Sequence, residues 1–386
     1  MSKKIALFTP FNPVTGGGGT IFRSLIPQLE GAEVHWFYLA ESKADIPGAT
    51  LLGSPVLGGA FVGDALNSAR MFVTRKHPMV LEYAQKIMEW EPEVVWVNAM
   101  NEGLLMGMML RQLGANKLHV SVHDDPAGLA NKSRRYRHLA GFMDRSNRAL
   151  LQIASSVDVV SEPMKRYYSQ RYGVTAGVVY RYLGPFSVSA TSAATEPTIL
   201  VGHVGSAYSA PEVRAFLAAL RSLERTDGVR FKVLTFGQSP VFMAAQEEFP
   251  GLIDGAGDVP ELEVVKRLRQ CVFVYSMYSF NRRHRIFRET SQPTKMSTYL
   301  MAARPILAHC PEGSSTIEMM TRFKLGACVT SMGQDALING IRRVVEFDLE
   351  IADVQAAIDC YCGKKNIDYL EECFGLMQAS VDSVSR

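Results

Sequence analysis

The sequence predicts an α/β protein made of two doubly wound parallel-sheet domains. Three observations predict it. Short apolar runs alternate with helix-period segments through both halves of the chain, the pattern of repeated strand–helix–strand units. Four glycines, 16–19, follow the first apolar run and precede an amphipathic segment. Late in the second half, the stretch 290–309, TSQPTKMSTYLMAARPILAH, reads as a loop, a helix of about three turns and a buried strand.

The chain has 386 residues, enough for two domains that each bury a core. Hydrophobic residues make up 47% and charged residues 20%, an ordinary globular balance. The net charge of +3 is too small for a dedicated nucleic-acid binder. Six cysteines lie at 271, 310, 328, 360, 362 and 373. Cys360 and Cys362 form a C-x-C pair that no second pair or histidine cluster completes, so no metal site is expected. The N-terminus runs straight into a strand without a leader pattern, and no apolar run reaches the roughly 18 residues that span a bilayer. A cytoplasmic protein with reduced thiols, at most peripheral to the inner face of a membrane, is the expectation.

In the first half, 4–9, 33–39, 93–97, 118–122, 157–160 and 178–182 read as strands. Residues 47–63, rich in Gly and Pro, read as an irregular loop. Helical patterns occupy 21–29, 64–74, 78–90, 104–113 and 161–172. The glycine run is not G-x-G-x-x-G and no P-loop lysine follows it, so it reads either as a flexible turn or as a place where a ligand approaches the backbone closely. The strand at 118–122 ends in HDDP. His123 there suits a hydrogen bond to a sugar hydroxyl or phosphate, with Asp124 or Asp125 orienting it. The other reading is a locally satisfied histidine and aspartates that cap the next helix. Residues 131–148 carry six Lys/Arg and one acid. Such a segment meets anionic lipid headgroups or phosphorylated acceptors, or forms a solvated helix face. Residues 186–197 read as the linker between domains 1–185 and 198–368.

In the second half, 199–204, 231–236, 271–275 and 306–308 read as strands, and 211–223, 261–269, 333–346, 350–363 and 369–384 as helices. Arginines 282, 283, 285 and 288 precede the helix that starts at Thr294 and Lys295 and stops at Pro305. Guanidinium groups and a helix N-terminus both suit phosphate oxygens. A helix cap with a solvated lysine is the plainer reading.

These stretches, in this order, resemble the GT-B glycosyltransferases, and among them the retaining family 4. KIALFTPFNPVTGGGG is similar to that family's opening strand and glycine loop, VSVHDDP to its histidine-bearing strand end, and SVDVVSEPMKRYYSQRYG to the end of its first domain. ILVGHVGSAYS and TSQPTKMSTYLMAARPIL are similar to its donor-binding elements. The resemblance implies two Rossmann-like domains facing across a cleft, with 369–386 packing back on the first. It implies a nucleotide-sugar donor, a hydroxyl acceptor and no cofactor. Gly17, Gly18 and Gly19 would approach donor phosphate and acceptor, and His123 the donor sugar. Gly205 and Ser206 would face the diphosphate, Thr294 and Lys295 would hold it, and Arg288 would assist.

The sequence departs from the family at one point. Many members carry two glutamates eight positions apart in this region, one on the sugar and one on the ribose. Alignment on Pro305 puts Thr290 and Thr298 there. Glu289 serves only if the loop shifts by one residue, and SQPTK fits better the members with a serine-proline-lysine loop. Ala303 and Arg304 stand where the family has glycine. A retaining sugar transfer, with Lys295, arginines and the helix dipole stabilising the leaving diphosphate, is the expected activity. A GT-B-like nucleotide-binding or scaffold protein that has lost catalysis is the alternative. A dinucleotide oxidoreductase lacks its G-x-G-x-x-G and following acid.

Overall fold

Two all-parallel sheets carry the chain in a computed structural model that describes residues 2–57, 61–188 and 198–376. The chain divides into two compact units, residues 1–182 with 363–386, and residues 183–362.

The first unit holds β1 (Lys3–Thr9), β2 (Ala32–Leu39), β3 (Ala49–Gly53), β4 (Val94–Asn98), β5 (Leu118–Val122), β6 (Ser156–Val159) and β7 (Gly177–Val178). Their spatial order is β3-β2-β1-β4-β5-β6-β7. Every residue of β4 and β5 is buried, as strands covered on both faces must be. Order reverses between β1 and β4, and the carboxyl edge at such a switch point is where open α/β sheets take ligands. The second unit holds β8 (Thr198–Val204), β9 (Arg230–Phe236), β10 (Ile253–Gly255), β11 (Phe273–Met277), β12 (Ile306–His309) and β13 (Gly326–Val329), in the order β10-β9-β8-β11-β12-β13. Its switch point lies between β8 and β11. Its core is built on Phe216 stacked against Tyr275, ring centroids 3.9 Å apart.

The helix Lys365–Phe374 belongs to the first unit. Tyr369 Oη donates to the Val157 carbonyl at 2.7 Å and accepts from the Gly177 amide at 3.0 Å. Asn366 Nδ2 donates to the Arg181 carbonyl at 3.1 Å, and Lys3 Nζ to those of Phe374 and Gly375.

Several elements differ from the sequence expectations. The stretch 47–63 contains β3, whose half-buried residues pair with β2 as an edge strand too short to show a period. The last strand of the first sheet is only two residues, because β7 pairs β6 just at Gly177 and Val178. The glycines do not precede the first helix but form its first turn, Gly16–Leu25. The helix after the phosphate-type start is two turns, Lys295–Ala302. It ends before Pro305 because Ala303 takes a left-handed conformation, φ +51°. The helices Pro240–Glu248 and Ser315–Phe323, with β10 and β13, are elements the sequence expectations do not include. The helix Lys365–Phe374 starts before the predicted 369–384 segment and is capped by Gly375; residues 377–384 of that segment, and linker residues 189–197, lie outside the described residues.

Candidate donor and sugar site

In the first unit, β1 delivers the chain into a tight turn. The Asn12 side chain accepts the Val14 amide at 3.0 Å, and the Asn12 carbonyl accepts the Thr15 amide. Gly16 takes φ +68°, a conformation that costs glycine little. A Cβ on Gly18 would stand 2.6 Å from the Phe11 ring and 3.3 Å from His123 Nδ1, and one on Gly19 would stand 2.3 Å from the Pro13 carbonyl oxygen. Glycine is therefore required at both positions by close approach. Gly17 beside them is half-buried. The turn and His123 thus meet at the switch-point edge.

The His123 ring lies against Phe22, centroids 4.8 Å apart. Its Nδ1 is buried without a hydrogen-bond partner. Burial pushes its pKa down to about 4, so at neutral pH it is an uncharged imidazole able to hydrogen-bond a neutral ligand. Asp125 is a helix cap: its Oδ1 accepts the Gly128 amide at 2.6 Å, and Tyr168 donates to its other oxygen.

In the second unit, β8 ends in a turn with Gly205 at φ +68°. The Gly205 amide donates to the Phe236 carbonyl at 2.7 Å, and the Gly237 turn approaches the Gly205 Cα. Lys295 crosses to this turn from the start of its helix. Its Nζ donates to the Ser206 carbonyl at 2.6 Å and lies 5.0 Å from the centre of the Tyr208 ring. Lys295 is 7% exposed, and burial lowers its pKa to about 7. No carboxylate among the described residues pairs with it.

Thr294 occupies the cap position in a helical conformation and makes no side-chain cap. The amides of Met296 and Ser297 already donate to the Pro293 and Thr294 carbonyls, so the helix start offers fewer open donors than its sequence suggests. Thr298 Oγ1 donates to Glu261 Oε1 at 2.8 Å. A carboxylate therefore does reach the Thr298 position, from the start of the helix Glu261–Leu268. Thr290 turns its hydroxyl back to the Ile286 carbonyl. Glu289 pairs with Arg285 at 2.9 Å one turn earlier. Arg288 is buried, donates to the Asn281 carbonyl at 2.9 Å, and burial lowers its pKa.

The structure thus gathers Gly18, Gly19 and His123 in one unit and Gly205, Ser206 and Lys295 in the other. Sequence reasoning missed Glu261, Tyr208 and Phe22. For Glu261 the only local signal is the Pro-Glu helix opening at 260–261. Among the described residues no group of three or more His, Cys, Asp or Glu is placed to hold a metal ion.

No protein-family model and no curated sequence matches the chain. Solved structures do. WaaG, a glycosyltransferase involved in lipopolysaccharide biosynthesis, aligns over 97% of this chain and 100% of its own, with TM-score 0.66 and 14% identity. Sucrose-phosphate synthase from Thermosynechococcus elongatus aligns over 97% and 96%, with TM-score 0.65 and 15% identity. The chain has the GT-B fold. A putative UDP-N-acetylglucosamine 2-epimerase from Listeria monocytogenes also matches, over 98% of each chain, with TM-score 0.59 and 11% identity. GT-B architecture by itself therefore does not name a reaction, and the site residues must carry that argument.

Proposed function

We propose that this GT-B protein is a retaining glycosyltransferase that moves a hexosyl group from a nucleoside-diphosphate sugar to a hydroxyl acceptor. The observation that carries the reading is Lys295, a buried amine without a carboxylate partner, held at the turn that follows the central strand of the second sheet. Burying a cation without a counter-charge is costly, and an anionic diphosphate is the ligand that offsets the cost. Sulfate-sized anions suit the amine too, but the Gly205–Ser206 turn adds close backbone approach for an extended diphosphate.

In this reading the bond from the sugar's anomeric carbon to the β-phosphate oxygen breaks, and the acceptor oxygen bonds to that carbon on the same face. The acceptor's proton passes to the departing phosphate. Negative charge grows on the diphosphate during this step, so Lys295 stabilises the transition state more than the ground state. Lys295, with Arg288 assisting, takes the charge-neutralising role, and no metal is invoked. Glu261, through Thr298, supplies the carboxylate for the ribose side. Glu289 exchanges Arg285 for a sugar hydroxyl. Gly17, Gly18, Gly19 and His123 offer the first unit's polar, close-approach surface to sugar groups. An acceptor at an anionic membrane fits the exposed Arg134, Arg137 and Arg145.

The experiment is a product assay. The protein is incubated with a panel of UDP-, GDP- and ADP-sugars, and released nucleoside diphosphate is measured. Slow release from one donor family, abolished in Lys295→Met, supports the reading. Release at equal rates from wild type and variant removes Lys295 from the mechanism.

A further inference from the structure

Asn98 ends β4 at the switch point of the first sheet. It is 1% exposed, yet both its Oδ1 and its Nδ2 lack any hydrogen-bond partner. A primary amide offers two donors and two acceptor lone pairs, and leaving them empty in a buried place is unfavourable. Its neighbours are already committed. Ser121, its register partner on β5, accepts from Trp96 Nε1 at 2.6 Å and donates to Asp158. Thr9, at the end of β1 on the other side, accepts from Trp36 Nε1 and donates to the Phe11 carbonyl. The Asn98 carbonyl itself accepts the Met100 amide, so only the side chain is left over.

That side chain shares a face with His123. Trp96 and Asn98 are two apart on β4, and side chains two apart along a strand point the same way. Phe22 packs on both Trp96 and His123, with centroids 5.0 and 4.8 Å away. His123 Nδ1 and, in register with Ser121 on β6, Asp158 Oδ1 are unpartnered as well, and Gly18 lies against His123. Asn98 and His123 are neutral, an amide and an imidazole whose pKa burial lowers to about 4, while Asp158 is already held by His119 and Ser121 through its other oxygen. An uncharged donor–acceptor pair at a carboxyl edge suits neighbouring hydroxyls better than a phosphate.

We propose that Asn98 adds a hexose contact beside His123 in the first unit, its amide binding a pair of adjacent sugar hydroxyls, one donating to Oδ1 and one accepting from Nδ2. This deepens the glycosyltransferase reading and rests on it for the choice of a sugar. Asn98 is a specificity residue, because the relative orientation of two hydroxyls decides whether one amide reaches both.

The test uses ligand-observed NMR on the full chain with glucose, galactose, mannose and N-acetylglucosamine, each with and without a nucleoside diphosphate. Wild type and Asn98→Leu are compared, and both are followed by thermal unfolding. At least one hexose should bind wild type, and Asn98→Leu should weaken it tenfold or more. The variant should melt at the wild-type temperature or above it, since leucine removes an unpaired amide while keeping its branched heavy-atom shape. Binding that ignores the nucleotide assigns the subsite to the acceptor; binding that needs it assigns the transferred sugar. Failure of all four hexoses in both arms, or hexose binding that survives Asn98→Leu, overturns the proposal. A variant that melts several degrees lower overturns it too, because the amide is then satisfied within the fold. Hexose binding without any nucleotide stabilisation would sink the glycosyltransferase reading while leaving the subsite standing.

Discussion

Lys295 sits among a backbone carbonyl, an aromatic ring and apolar groups, and its chemistry follows from that enclosure. Burial lowers its pKa to about 7, against about 10.4 in an unfolded chain. Between those values the unfolded state binds the extra proton, so this residue makes the native state gain stability as pH rises from about 7 to 10. Lys295→Met should flatten that gain, measured as urea midpoints at pH 7 and pH 9. Contact with a diphosphate has the opposite dependence. It requires the ammonium form, so affinity for a nucleoside diphosphate should fall as pH rises through about 7, with proton uptake on binding below the plateau. Sequence showed the lysine at a helix start but not its burial. Ser206 and Tyr208, which enclose it, come from almost ninety residues away along the chain.

At the scale of elements, the first sheet carries a buried ion pair that links neighbouring strands. His119 Nε2 on β5 meets Asp158 Oδ2 on β6 at 2.6 Å, and His119 Nδ1 meets Ser156 Oγ at 2.8 Å. Burial alone would lower the imidazole, but Asp158 and the Cys373 thiol of the final helix outweigh it and raise the pKa to about 9. A pKa raised above about 6.5 contributes stability that is full below that pH and is lost as pH rises through about 9. His119→Leu leaves the Asp158 carboxylate buried without its cation and should cost about 3–5 kcal/mol at pH 6. The cost should shrink by pH 9.5, as followed by denaturant unfolding; an equal cost at both pH values would contradict the assignment. The alternation of strands and helices was legible because buried parallel strands are continuous apolar runs. The glycine run was legible as a turn, but not as the first turn of a helix, because helix propensity argues against four glycines there. Gly18 and Gly19 answer to tertiary packing, since Phe11, Pro13 and His123 stand where their side chains would be, and Gly16 answers to its positive φ. β3, β10 and β13 escaped because three to five residues are too few to display a period. Glu261 escaped because it reaches Thr298 across the fold, which spacing along the chain does not encode.

At the scale of the whole molecule, the net charge of +3 is modest, and what matters is where cations are free to act. Within 131–148, Arg135 is bound to Asp64 and Arg148 to the Arg171 carbonyl, while Arg134, Arg137 and Arg145 are exposed. No helix among the described residues is long and apolar enough to cross a membrane. An electrostatic contact from three arginines is worth about 3 kcal/mol near an anionic surface and is screened within a Debye length. Flotation with vesicles containing phosphatidylserine or phosphatidylglycerol should carry the protein at low salt and release it at 0.5 M salt. The triple variant Arg134→Ala/Arg137→Ala/Arg145→Ala should stay in the dense fraction, and flotation of that variant equal to wild type would remove this segment from membrane contact.

The buried Lys295 amine makes the second unit a site for a nucleoside diphosphate. A ligand that binds only the native state raises the unfolding midpoint, by about 2.7 kcal/mol of added stability at a hundredfold excess over Kd. The direct measurement is the thermal midpoint of wild type and Lys295→Met at pH 6.5 with UDP, GDP, ADP and their sugar conjugates. One nucleotide family should raise the wild-type midpoint, and the shift should disappear in a folded Lys295→Met. A wild type that no nucleotide stabilises, or a shift that Lys295→Met retains in full, would contradict it.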